Sequence, residues 1–123
     1  MSKPNILVIF TDDQRFDTVH ALGNDKISTP NMDWLVENGT SFTNAYIMGG
    51  TNTAVCMPSR AMLMTGRTLF HLVDSGETIP EDHIMLGETL RKSGYHCWGT
   101  GKWHNGTESY IRNFQDGADI YFG

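Results

Sequence analysis

The chain has 123 residues, with nine lysines and arginines against fourteen aspartates and glutamates, for a formal charge of −5. That balance argues against a nucleic-acid partner, which needs a basic surface, while leaving room for a local anion site. Two cysteines, Cys56 and Cys97, do not make a disulfide framework, no apolar run reaches transmembrane length, and 39% hydrophobic content is compatible with a modest single core.

The start, Met1-Ser2-Lys3-Pro4, has no signal-peptide core. Residues 5–11 then carry a nearly continuous apolar run, Ile6-Leu7-Val8-Ile9-Phe10, which predicts a central strand covered on both faces. Asp12 and Asp13 follow at its carboxyl end, where α/β proteins bind ligands, and two adjacent carboxylates suit a hard cation. Capping of the following turn accounts for them equally well. Asp17 is a third acid in this stretch, and His20 reads as a surface or packing residue. Thr29 as N-cap and Pro30 as first helical residue predict a helix through Asn38. Its buried face would carry Met32, Leu35 and Val36, with Trp34 at the border and Gly39 as the C′ stop. Alternation around Phe42 and Tyr46 predicts a half-buried strand over residues 40–47. Asn38-Gly39-Thr40 and Asn105-Gly106-Thr107 match the short N-glycosylation sequon.

Gly49-Gly50-Thr51-Asn52-Thr53 forms a loop that leads to Cys56 and matches no Rossmann or P-loop fingerprint. Pro58, followed by Ala61-Met62-Leu63-Met64, predicts a helix ending near Thr65 and Gly66. Cys56 lies just before or within its N-terminus, where orphan N–H groups favour an anion. Arg60, about one turn later, can bring a planar fork of donors to the same volume. The pair suits a bound or transferring sulfate or phosphate, although a buried inert thiol beside a surface arginine remains open from these residues alone.

Residues 68–80 read as loop, with Arg67 and His71 as the nearby residues for substrate selection. A helix is predicted from about residue 82 or 83, through Ile84, Leu86, Leu90 and Arg91, to Ser93, with Gly94 as its stop. A core strand over residues 95–100 contains Cys97 as a buried inert thiol. It leads into Gly101-Lys102-Trp103-His104, where a point positive charge and a proton carrier stand two positions apart. Trp103 between them reads as packing.

Cys56-Met57-Pro58-Ser59-Arg60-Ala61-Met62-Leu63-Met64-Thr65-Gly66 resembles the signature of the type I sulfatases, within the alkaline-phosphatase-like superfamily. That signature reads Cys-x-Pro-Ser-Arg, three free positions, then Leu-Thr-Gly, and the one departure is Met64 in place of leucine. Asp12-Asp13 and Gly101-Lys102-Trp103-His104-x-Gly106 match in the same order. The family pattern also covers residues 4–11, 29–31, 39–45, 86–94 and 119–123.

The resemblance implies an α/β fold, the N-terminal part of a mixed sheet sandwiched between helices. Residues 1–123 would form the N-terminal portion of a catalytic domain whose C-terminal part is absent. It implies a sulfuric ester hydrolase in the full-length protein, with the fragment alone inactive. Cys56 would be oxidised by a formylglycine-generating or sulfatase-maturing enzyme to formylglycine. One hydroxyl of its hydrate attacks sulfur, and loss of a proton from the other expels sulfate. Asp12, Asp13 and residue 56 would hold Ca2+ or Mg2+. Arg60 would hold the formylglycine, Lys102 would bind sulfate and His104 would assist proton removal.

The implied partner is a sulfated small molecule or glycan, with a carbohydrate sulfate favoured. A phosphodiesterase or phosphomonoesterase of the same superfamily, which normally carries threonine or serine as nucleophile, and a non-catalytic sulfate-binding fragment with an unmodified cysteine are the alternatives. The compartment is periplasmic or extracellular if a leader has been removed, and cytoplasmic otherwise.

Overall fold

The computed structural model describes residues 3–48 and 55–123. The Gly49-to-Thr53 loop expected ahead of Cys56 lies outside the described residues. The chain divides into two compact units, residues 1–46 and 47–123.

In the first unit, 3-10 turns at Phe16–Thr18 and His20–Leu22 precede helix α1, Pro30–Asn38. Thr29 occupies the N-cap position, but its hydroxyl donates to Asp33 Oδ1 (2.8 Å) instead of capping a backbone N–H. The same oxygen of Thr29 accepts from the His20 N–H (2.8 Å), and Asp33 Oδ1 accepts from the Ala21 N–H (2.9 Å). The Ala21 N–H, followed by the Thr29 hydroxyl and the positive potential of His20, holds the Asp33 carboxyl below its usual range against a partial desolvation penalty.

Three expectations fail in this unit. Residues 5–11 form no strand, and Leu7 is 84% exposed. The ladder among the described residues joins two later strands, so the apolar run is no part of it. Residues 40–47 likewise form turn and irregular structure, with Phe42 and Tyr46 exposed. Helix α1 buries none of its residues, and Gly39 ends it in an extended conformation (φ −128°, ψ −158°), not the left-handed one expected of a C′ glycine. Val19 is the unit's one buried hydrophobic residue among those described.

The second unit begins with helix α2, Cys56–Thr65. Pro58 sits in the first turn, where its missing N–H has no intrahelical partner to lose. Gly66 closes the helix in the left-handed region (φ 66°), its N–H returning to the Met62 carbonyl (2.9 Å). The expected loop over residues 68–80 contains 3-10 turns at Leu69–His71 and Asp74–Gly76. Helix α3, Leu86–Lys92, starts later than predicted, because Pro80 and His83 close a turn first (His83 N–H to Pro80 carbonyl, 3.0 Å). Glu88 then accepts from the Met85 N–H (2.8 Å), and Gly94 stops the chain as expected (φ 80°).

Strand β1 spans Trp98–Lys102, helix α4 Thr107–Asn113 and strand β2 Asp116–Tyr121. The core strand therefore falls a few residues after the predicted 95–100, and Cys97 lies just ahead of it, buried. Strands β1 and β2 pair in parallel, with Trp98 opposite Asp116 and Lys102 opposite Tyr121. The register slips between Thr100 and Gly101, leaving Asp119 as an extra residue in a left-handed conformation (φ 51°). A parallel pair joined through a helix, with further helices, makes the class α/β, as the sequence implies.

The core of this unit gathers Ala61, Ile79, Met85 and Trp103, with Met64, Leu72, Tyr110, Phe114 and Ile120 packed against it. Trp103 meets Tyr110 and Phe114 edge-on, at centroid separations of 5.8 and 5.5 Å. Burial, then the nearby Asp116 charge, raises the Tyr110 phenol above its usual pKa. Helices α3 and α4 approach so closely at Gly87 that a Cβ there would overlap the Asn113 carbonyl and amide. Arg112 of α4 binds the Glu88 carboxylate (3.2 Å) and the carbonyls of Ile79, Pro80, Glu81 and His83 at 2.9 to 3.2 Å, fixing the approach to α3.

Candidate active site

The site forms where the N-terminus of α2 meets the exit of β1. Cys56 opens α2, and its sulfur lies 3.2 Å from His104 Nδ1 and 3.5 Å from Lys102 Nζ. Lys102 is the last residue of β1, and His104 follows two positions later in a left-handed backbone conformation (φ 74°). That geometry is uncommon for a residue with a side chain and turns the chain sharply at the strand end. Trp103 anchors the turn from below, its indole N–H donating to the Gly106 carbonyl and the Ser109 hydroxyl, both at 2.9 Å.

Arg60 is 4% exposed. Its Nε–H donates to the Lys102 carbonyl (3.0 Å) and one terminal N–H donates to the Cys56 carbonyl (3.2 Å). The guanidinium thus rivets the helix to the strand end through the backbones of two site residues. This structural use of Arg60 was not legible in the motif, since a sequence gives no sign of backbone acceptors. The result is a partly buried thiol contacted by an ammonium and an imidazole, next to a buried guanidinium. Such a grouping suits an oxyanion.

Four sequence-predicted site residues, Cys56, Arg60, Lys102 and His104, are therefore brought together in the second unit. Asp12 and Asp13 belong to the first unit, both exposed, with Asp13 in the left-handed region (φ 51°). Adjacent carboxylates have the donor chemistry a hard cation takes, but among the described residues no group of three or more histidine, cysteine, aspartate or glutamate side chains is placed to hold a metal ion. His71 has its own local partner, the Thr68 hydroxyl (2.8 Å), and His20 packs against the Asn24 carbonyl (2.6 Å). Cys97 lies apart, its thiol 3.7 Å from the Gly87 carbonyl.

Asn105 escaped the sequence reading except as part of a sequon. It is 1% exposed, and its amide donates to the Met57 and Gly76 carbonyls, so a glycan has no access to it in the folded chain. The only hint in the sequence was its place immediately after His104.

An α/β unit thus sets a cysteine at a helix mouth among basic groups, a lining whose charge suits an oxyanion. The chain belongs to the sulfatase family, whose model matches residues 4–122. It is 36% identical to mouse arylsulfatase G over 129 aligned residues, covering 98% of this chain and 24% of that protein. It is 35% identical to an N-acetylgalactosamine-6-O-sulfatase of Bacteroides thetaiotaomicron, covering 85% of this chain and 21% of the relative. A ulvan-active sulfatase of Formosa agariphila is also 35% identical, over 84% of this chain and 20% of its own length. The chain thus spans a quarter or less of these relatives. No solved structure matches it.

Proposed function

We propose that these residues are the N-terminal portion of a sulfatase catalytic domain, and that the full-length protein hydrolyses a sulfate ester on a carbohydrate. The observation that carries this reading is the contact of the motif cysteine with both Lys102 and His104, at 3.5 and 3.2 Å. Two relatives named for carbohydrate substrates, N-acetylgalactosamine-6-O-sulfatase and ulvan-active sulfatase, support the substrate class.

In this reading, a maturing enzyme oxidises Cys56 to formylglycine, whose hydrated aldehyde supplies the attacking hydroxyl. Lys102 binds a sulfate oxygen and offsets its charge, and His104 takes the proton whose loss lets sulfate depart. Arg60 keeps residue 56 at a fixed distance from the strand end and contributes positive potential. Asp12 and Asp13, with residue 56, would hold Ca2+ or Mg2+, which supplies further neutralisation of the sulfuryl oxygens. The remaining ligands and the leaving-group acid lie outside these residues, and the 123-residue chain alone is expected to show no turnover.

The test is peptide mass spectrometry of residue 56 in the full-length protein produced with a maturing enzyme. A peptide lighter by about 18 Da, the difference between a CH2SH and a CHO side chain, together with sulfate release from sulfated monosaccharides, is the expected result. An unmodified thiol under confirmed maturation activity, or release of phosphate but not sulfate from paired aryl esters, overturns the reading.

A further inference from the structure

Asn105 joins the two halves of the site one peptide away from each reacting side chain. Its amide N–H2 donates to the carbonyl of Met57 (3.0 Å), the neighbour of Cys56, while Asn105 itself is the neighbour of His104. The second N–H bond goes to the carbonyl of Gly76, in the Asp74–Gly76 turn packed against Ala61 of α2. Ser109 Oγ in turn donates to the Asn105 carbonyl, fixing the residue to the first turns of α4. A single buried side chain therefore spans the α2 N-terminus, the Asp74–Gly76 turn and the link from β1 to α4.

The same side chain carries a cost. Asn105 Oδ1 is buried with no hydrogen-bond partner among the described residues, and a buried unpaired carbonyl oxygen is unfavourable. An apolar residue of similar size would remove that cost if filling space were all the position required. Next to it, His104 keeps a left-handed backbone (φ 74°) that its own side chain disfavours.

We infer that Asn105 is a positioning residue that sets the separation between residue 56 and the His104 imidazole. It acts through the Met57 carbonyl and touches no substrate. The inference deepens the sulfatase reading and rests on it for the kinetic part of its test.

Asn105→Ala and Asn105→Ser are to be compared in the full-length matured protein with Asn113→Ala. Asn113 is an equally buried asparagine that bonds the Gly87 N–H (2.7 Å) and the Met64 sulfur (3.5 Å), away from the thiol. Asn105→Ala is expected to lower kcat about tenfold or more with KM changed by less than about threefold, the mark of an interaction used in the transition state. Asn105→Ser, which keeps one hydroxyl donor, is expected to recover part of kcat. Asn113→Ala is expected to lower thermal stability with kcat retained. Equal kcat losses in Asn105→Ala and Asn113→Ala, or a loss confined to stability, overturn the inference.

A second arm needs no sulfatase activity. In full-length protein made without the maturing enzyme, the iodoacetamide alkylation rate of Cys56 reports the basic groups at its sulfur. Asn105→Ala is expected to slow it about threefold or more relative to both the parent and Asn113→Ala. An unchanged or faster rate overturns the positioning role. A slower rate here, with no sulfate release from the matured parent protein, supports the positioning role while overturning the sulfatase reading.

Discussion

Residue 104 combines two properties that can be separated by mutation. Its imidazole contacts the Cys56 sulfur, and its backbone sits at φ 74°, where glycine is at home and other residues are strained. His104→Gly should therefore remove the ring without penalising the turn. In the matured full-length protein we expect kcat to fall about a hundredfold or more, and added imidazole to restore part of it by filling the vacated space. Recovery that does not grow with imidazole concentration would falsify a proton-carrying role for His104. Arg60 illustrates the opposite case. Its donors to the Cys56 and Lys102 carbonyls give it a structural task, so losses in an Arg60 variant mix folding with chemistry. At this scale the sequence showed the candidate residues through their types and motif, but it could not show their acceptors. Asn105 was invisible for the same reason: its partners are main-chain carbonyls of Met57 and Gly76, which carry no residue-type signal.

At the scale of elements, the contact between α3 and α4 is set by one glycine. The Gly87 N–H donates to Asn113 Oδ1 (2.7 Å), and no room exists for a Cβ between them. Because the obstacle includes the Asn113 main-chain carbonyl, it cannot swing aside like a long side chain. Gly87→Ala is expected to destabilise the full-length protein by about 3 kcal/mol or more, measured by thermal or denaturant unfolding. A change within about 0.5 kcal/mol would mean that the helices separate at little cost. Helix α2 was legible because Pro58 and Gly66 punctuate its ends, and α3 because Gly94 stops it. Helix α4 has only seven residues, and β2 reads Asp-Gly-Ala-Asp-Ile-Tyr, a composition poor in strand formers. Neither was predicted. Strand β2 exists because Gly117 can lie opposite Gly99 beside the Tyr110 ring, a long-range fit that local propensity does not encode. The run at residues 6–10 failed in the opposite sense, since strand propensity was strong but the ladder among the described residues forms between two later strands.

For the whole molecule, that run has a consequence for how the protein behaves in solution. Ile6 to Phe10 are five consecutive apolar residues, all exposed, with no proline or charge among them. Short uncharged segments of high β propensity associate readily with copies of themselves when their apolar side chains are exposed. The 123-residue chain is therefore expected to self-associate, and Leu7→Lys to raise the concentration at which light scattering appears several-fold. If the run becomes a buried strand in the full-length protein, the same lysine is expected to abolish soluble yield there, since burying an unpaired charge is costly. Improved yield in both forms would remove residues 6–10 from that core. One substitution thus acts as a solubiliser in one context and a folding defect in the other, and its sign reports whether the run has found its neighbours.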